Sequence, residues 1–207
     1  MVAVNAAESD VVAVIAEHAG AVSLAAVNAP SQCVISGDSA QVSAAAERLQ
    51  ARGFACVSLN VSHAFHSTLM QPAMDEIDRA LARVNIRAPQ IPIIANLYGR
   101  EAAPGEMESP AYWRAQVLGT IRFSDCVVAA RKRGATVFLE LGPQPTLTAF
   151  ARQVLDTSPG TWAACLSPRE DDRRQLNAAL GAVYAAGIDV KWEEVYPARH
   201  QARVTLP

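Results

Sequence analysis

The sequence predicts an α/β chain, on three observations. Strand-sized apolar runs alternate with helix-sized amphipathic ones along the 207 residues, which is the mark of a layered α/β architecture. The first 62 residues follow the order β-α-β-β-α-β, the split-βαβ or ferredoxin-like pattern of a small α+β lobe. From 90 to 170 only two or three strand runs occur, too few for a two-sided parallel sheet, so this second lobe reads as incomplete.

Each element has its local reason. Residues 1–6 are short and apolar, a strand. A helix follows over 8–19, with Val11, Val12, Val14 and Ile15 as its apolar positions and Ser9 or Asp10 placed to cap it. Strands over 22–27 and 33–36 flank the turn Asn28-Ala29-Pro30-Ser31 and form a hairpin. A helix over 39–52 carries Val42, Ala45, Ala46 and Leu49 on one face and stops at Gly53. The strand over 54–61 closes the lobe. Beyond it, Leu69, Met74, Ile77 and Leu81 mark a helix over 67–84, and 91–97 is a strand run. A loop rich in Glu, Pro and Gly spans 99–110. Helices over 111–120 and 123–133, the latter stopped by Gly134, precede a buried-strand run over 136–141 that ends at Gly142-Pro143. A helix over 146–155, a strand over 162–166 and a long helix over 171–186 complete the pattern. The irregular end, 191–207, carries Trp192 and Tyr196, apolar bodies that need a surface to pack against.

Composition narrows the function. Hydrophobic residues make up 51% of the chain and charged residues 18%, the balance of a globular protein. The net charge of −2 gives no electrostatic footprint for nucleic acid. The short basic runs Arg131-Lys132-Arg133 and Arg173-Arg174 are of the kind that forms solvated helix faces. Cys33, Cys56, Cys126 and Cys165 lie far apart with no C-x-x-C spacing, so they read as small core residues rather than zinc or redox ligands. Met1 is followed by Val-Ala-Val-Asn and not by a basic n-region, no apolar stretch reaches the ~18 residues of a membrane span, and reduced thiols fit a cytoplasmic protein with no membrane partner. Arg outnumbers Lys 16 to 2, the usage of a GC-rich bacterial genome.

The densest chemical signal is Val61-Ser62-His63-Ala64-Phe65-His66-Ser67, at the junction between the two lobes. Spacing alone leaves three readings open. The two imidazoles could be hydrogen-bonded structural groups at an interface. One could be a general base, since active sites favour lobe junctions. They could ligate a metal, although no carboxylate or cysteine follows nearby to complete a shell.

His63-Ala64-Phe65-His66-Ser67-Thr68-Leu69-Met70 resembles the H-A-F-H-S-x-L-M block of acyltransferase domains from modular type I polyketide synthases, the malonyl-CoA:acyl carrier protein transacylase family. Further blocks agree, in the same order. Ala26-Val27-Asn28-Ala29-Pro30 with Val34-Ile35-Ser36-Gly37 is similar to the N-x-P hairpin of the small lobe. Tyr112-Trp113 followed by Ile121-Arg122-Phe123 resembles Y-W…V-R-F, and Phe138-Leu139-Glu140-Leu141-Gly142-Pro143 resembles F-L-E-x-G-P. Val204-Thr205-Leu206-Pro207 looks like the start of the linker that follows such domains. The resemblance divides the chain into a ferredoxin-like subdomain (1–62), the C-terminal part of the large, hydrolase-like α/β acyltransferase subdomain (63–170), and a C-terminal helix with the start of the linker (171–207).

The resemblance implies a mechanism. A serine in a G-x-S-x-G elbow attacks the thioester of malonyl-coenzyme A, and a histidine takes its proton and later activates the phosphopantetheine thiol of an acyl carrier protein. That histidine maps to His66, with Nε2 towards the serine. A backbone carbonyl of the Y-W segment orients the ring, and Gln116 is the matching position. His63 and Phe65 map to a specificity position, where H-A-F-H tracks with malonyl and Y-A-S-H with methylmalonyl units. A phenyl ring there fills the space that an α-methyl branch needs. No bound cofactor is implied. The sequence contains no G-x-S-x-G. Gly37-Asp38-Ser39-Ala40-Gln41 comes nearest and lacks the second glycine. The resemblance therefore implies that the nucleophile, the oxyanion hole and the arginine that clamps the substrate carboxylate belong to an N-terminal half outside this chain, which would be incomplete and inactive without it. The implied partners are that half, the carrier protein and the adjacent ketosynthase. The alternative function is a non-catalytic ferredoxin-like docking module.

Overall fold

A computed structural model describes residues 1–156 and 158–196. The small lobe is built from β1 (Val2–Val4), α1 (Glu8–Ile15), β2 (Val22–Ala29), β3 (Gln32–Gly37), α2 (Ser39–Ala51) and β4 (Cys56–Ser58). Its strands form one sheet in the order β2-β3-β1-β4, and every pair is antiparallel. This is the ferredoxin-like topology, and the α/β class holds for the chain. Val11 and Val14 of α1 and Val42, Ala45, Ala46 and Leu49 of α2 join Val2, Val4, Val22, Val27, Cys33 and Ile35 in one buried cluster. Both helices therefore cover the same face of the sheet.

Local chemistry sets the boundaries. Asp38 caps α2 by accepting from the Gln41 amide at 3.0 Å. Neither Ser9 nor Asp10 caps α1. Its N-cap is Ala7, with no side-chain bond, and Asp10 instead pairs with Arg52 at 3.0 Å. Gly37, at φ +154°, is required by close approach as well as by conformation, because a Cβ there would lie 2.1 Å from the Ala21 carbonyl oxygen. Burial pushes the Cys33 thiol up to about 11, which keeps it protonated and inert.

The chain continues with a 3₁₀ stretch (Thr68–Ala73), α3 (Met74–Leu81), the hairpin β5 (Ile94–Ala95) and β6 (Arg100–Glu101), α4 (Pro110–Leu118) and α5 (Phe123–Lys132). Two expected elements are shorter, and proline contributes to both. Pro72 holds the start of the helix expected over 67–84 in the tighter 3₁₀ form. Pro92 removes a ladder donor on one side, and the Tyr98 and Gly99 amides turn back onto the Ala95 carbonyl on the other, so the strand expected over 91–97 shrinks to Ile94–Ala95. Arg100 grips Glu106 through two bonds of 2.9 and 2.6 Å, and this hydrogen bonding holds the Glu106 carboxyl well below the usual range.

Residues Met1–Gly134 form one compact unit together with residues 150–156, and Ala135–Ala149 form a second with residues 158–196. The lobes on either side of residue 62 share backbone hydrogen bonds, because Ile121 pairs with Ala25 and Val27 of β2. The second unit contains the parallel pair β7 (Val137–Glu140) and β8 (Thr161–Ala164), the start of α6 (Thr146–Leu155), α7 (Asp172–Ala185) and α8 (Trp192–Val195). Phe138 and Trp162 stack at 4.5 Å between centroids, and Trp192 meets Tyr184 edge-on at 5.5 Å.

Glu140 ends β7 and is buried. It accepts from the Leu147 amide at 3.0 Å, the Thr148 amide at 2.8 Å and the Thr148 hydroxyl at 2.9 Å, so a carboxylate caps α6. Burial alone would raise its pKa. The donors from Thr148, Leu147 and Thr146 together outweigh burial and lower it. No helix among the described residues is long and apolar enough to cross a membrane. The expected linker start at Val204-Thr205-Leu206-Pro207 lies outside the described residues.

Candidate active site

His66 stands on the loop that follows β4, in a turn built by its neighbour. The buried Ser67 hydroxyl donates to the Ala64 carbonyl at 2.6 Å and accepts from the Leu69 amide at 3.3 Å. Ser67 thus closes the turn and caps the 3₁₀ stretch in one step. The turn forces His66 to φ +57°, in the left-handed region that non-glycine residues seldom enter. Strain of about 1–3 kcal/mol at one residue persists only where the surroundings over-determine it, and it clusters at functional sites.

His66 Nδ1 lies 3.0 Å from the carbonyl oxygen of Gly119. The expected acceptor was the Gln116 carbonyl, three residues earlier. Gln116 sits in the last turns of α4, where carbonyls run along the helix axis. The chain leaves the helix at Gly119, whose φ of −82° and ψ of 162° turn its carbonyl off that axis. Glycine is needed there for space, since a Cβ would lie 2.6 Å from Leu97 Cδ1 and 2.8 Å from the Ala115 carbonyl oxygen. The Gln116 side chain instead lines a cavity of about 460 Å³ together with Ile93, Tyr112, Trp113, Phe123 and Cys126. Its Oε1 is buried there without a hydrogen-bond partner among the described residues.

A carbonyl can only accept, so Nδ1 carries the proton in the neutral ring and Nε2 bears the lone pair. Nε2 makes no hydrogen bond to the described residues. His63 is exposed, and its Nδ1 meets only the adjacent Ser62 hydroxyl, at 2.9 Å. The Phe65 ring is 41% exposed and tilts against His63 at 5.8 Å between centroids. The loop therefore brings His63, Phe65 and His66 together, with His66 alone fixed by a distant part of the chain. Among the described residues, no three of His, Cys, Asp and Glu converge to hold a metal ion.

Gly119, which no motif singles out, and Arg122, which the sequence marks only as part of the V-R-F-like block, complete the arrangement. Arg122 reaches Glu8 of α1 at 2.6 Å and Asp125 at 2.7 Å, and the bond to Glu8 leads in raising its pKa. A glycine directly after an amphipathic run was the available signal for Gly119. No spacing rule announced Glu8, which lies 114 residues from Arg122.

Comparison with known proteins decides the family. The sequence model of the acyl transferase domain matches residues 1–190. The whole chain aligns at 40% identity with 10% of the phenolphthiocerol synthesis polyketide synthase type I of Mycobacterium bovis.

The chain belongs to the acyltransferase domain family of modular polyketide synthases.

Among solved structures, the acyltransferase domain from the second module of the salinomycin polyketide synthase superposes with a TM-score of 0.90 at 36% identity. All of this chain is covered, and 48% of that one. A malonyl-CoA:acyl carrier protein transacylase from Xanthomonas oryzae follows at a TM-score of 0.76 and 30% identity, over 87% of this chain and 57% of its own. The chain thus spans about half the length of the acyltransferase structures it matches and about a tenth of the curated synthase.

Proposed function

We propose that this chain carries the general base and the acyl-facing loop of a malonyl-coenzyme A:acyl carrier protein transacylase. The serine nucleophile would be supplied by a G-x-S-x-G segment that is not among these residues. The observation that carries the reading is the bond from His66 Nδ1 to the Gly119 carbonyl, because it leaves Nε2 free to take a proton. A backbone acceptor orients the ring without adding a full negative charge, a dyad variant of triad logic.

The chemistry follows in two half-reactions. His66 Nε2 takes the serine proton as the serine oxygen attacks the malonyl thioester carbonyl. The tetrahedral intermediate collapses, and the coenzyme A sulfur leaves with the proton from Nε2. In the second half, Nε2 takes the proton of the carrier's phosphopantetheine thiol. The sulfur attacks the acyl ester, and the serine oxygen recovers its proton from His66. Phe65 limits the room beside the α-carbon, which favours malonyl over its α-methyl analogue by about 1–3 kcal/mol at most.

Exposed apolar side chains support the need for a second segment. Ile91 is 78% exposed in the first unit, and Leu141 is 80% and Leu139 43% exposed in the second. Parallel strands are almost always covered on both faces, yet β7 and β8 stand as a pair. Large apolar side chains left open in this way mark a surface that another segment covers.

The test is complementation. The chain, a serine-bearing segment from a related acyltransferase, and both together are given labelled malonyl-coenzyme A and a carrier protein bearing phosphopantetheine. Label should reach the carrier only when both are present. An assembled pair that transfers nothing would refute the reading, as would transfer by the chain alone.

A further inference from the structure

We propose that Thr120 is a positioning residue for His66, and that the edge strand β2 of the small lobe is the rail on which it is set. The inference rests on the reading of His66 as the base. In the sheet order β2-β3-β1-β4, strand β2 is an edge, so its outer amides and carbonyls are free to bond elsewhere. Residues 120–121 use them. The Ile121 amide donates to the Ala25 carbonyl at 2.9 Å, the Val27 amide donates to the Ile121 carbonyl at 2.8 Å, and Ala26 and Ile121 form a parallel bridge. The Thr120 hydroxyl donates to the Leu24 carbonyl at 2.7 Å. A register shift between Leu24 and Ala26 in the β2–β3 ladder marks a bulge at this point. Bulges commonly re-aim groups beside active sites.

The rail matters because of what it adjoins. Gly119 C=O and Thr120 N–H share one rigid peptide plane. Glycine is the residue least able to hold its own torsions. With Thr120 tied to Leu24 and Ile121 tied into the ladder, the plane cannot rotate, and the Gly119 carbonyl stays aimed at His66 Nδ1. The other side of that bond is held independently by the Ser67 hydroxyl on Ala64. Neither Thr120 nor Leu24 touches the reacting atoms. They act through the tautomer of the ring.

The tautomer is therefore the readout, and it needs no activity. The chain labelled with ¹⁵N-histidine gives long-range imidazole proton–nitrogen spectra at about pH 8.5, where an ordinary imidazole is neutral. His66→Gln assigns the signals. The wild type should show His66 mainly protonated at Nδ1. Thr120→Val keeps the volume and removes the hydroxyl, and should move the tautomer ratio towards Nε2–H by about twofold to tenfold, the reach of one ordinary hydrogen bond. Thr120→Ser should restore the wild-type ratio. A Thr120→Val ratio equal to wild type overturns the proposal and leaves the base reading standing. A wild type that is mainly Nε2–H overturns the base reading itself. If Thr120→Val does not fold, Thr120→Ala replaces it, and an unchanged ratio in that variant overturns the proposal equally.

Discussion

Replacing Gly119 by alanine should disable His66, the proposed base, without touching it. The added methyl would sit 2.6 Å from Leu97 Cδ1 and 2.8 Å from the Ala115 carbonyl oxygen. Leu97 can rotate aside. The Ala115 carbonyl belongs to α4 and cannot, and it already accepts the Gly119 amide at 2.7 Å. Ordinary contact begins near 3.4 Å, so the backbone at 119 must retreat by about 0.6 Å. The carbonyl moves with it. The 3.0 Å bond to His66 then lengthens to about 3.5 Å, where a hydrogen bond has lost most of its strength. The φ of −82° suits alanine, so the cost is one of space and not of strain. A misplacement approaching 1 Å costs about a hundredfold in rate, so kcat for acyl transfer in the domain assembled with its serine segment should fall about 10- to 100-fold. KM for malonyl-coenzyme A should hold, because the substitution does not touch Phe65, the residue proposed to face the acyl group. Steady-state transfer at saturating carrier measures both, with a melting curve to confirm the fold. A folded variant whose kcat stays within about twofold of the original would refute the reasoning.

Three further outcomes follow from single contacts. Phe65→Ser in the assembled domain should raise methylmalonyl transfer relative to malonyl by an amount within about 1–3 kcal/mol, read from competition between the two coenzyme A esters; an unchanged ratio would mean that Phe65 does not line the α-carbon pocket. Glu140→Gln should lower stability by about 1–3 kcal/mol, seen as a lower denaturation midpoint. Because the folded pKa of Glu140 is lowered, its contribution is present above the ordinary carboxylate value and is lost as pH falls through the folded one, so the gap between variant and original should close in acid; a gap that widens there would contradict the assignment. The isolated chain should bind a hydrophobic dye through surfaces such as Ile91 and Leu141, and the serine segment should displace it; a chain that binds no dye would argue against a covering partner.

Much of the small lobe was legible because its signals are local. Val42, Ala45, Ala46 and Leu49 recur at helix spacing and all four are buried. The β-α-β-β-α-β order left few alternatives for the sheet. What escaped were groups paired across long distances. Gln116 and Gly119 look equally suitable on a helix drawn from sequence. Only the end of α4 at Leu118 decides which carbonyl turns towards His66. Asp10, a capping candidate in the sequence, is spent on Arg52, and Glu8 on Arg122. Phe65 and His66 stand out as candidates through the motif, but the Ser67 bonds that hold His66 at φ +57° carry no periodicity to detect.

The most direct test of the central claim compares the two histidines of the loop. His66→Ala and His63→Ala are placed separately in the assembled domain, and malonyl transfer to the carrier is timed. His66 is tied to Gly119 with Nε2 available, whereas His63 is exposed and its only hydrogen bond among the described residues is to its neighbour Ser62. Loss of the general base should lower transfer by about two to four orders of magnitude, and His63→Ala should cost much less. Equal losses, or a larger loss at His63, would contradict the account.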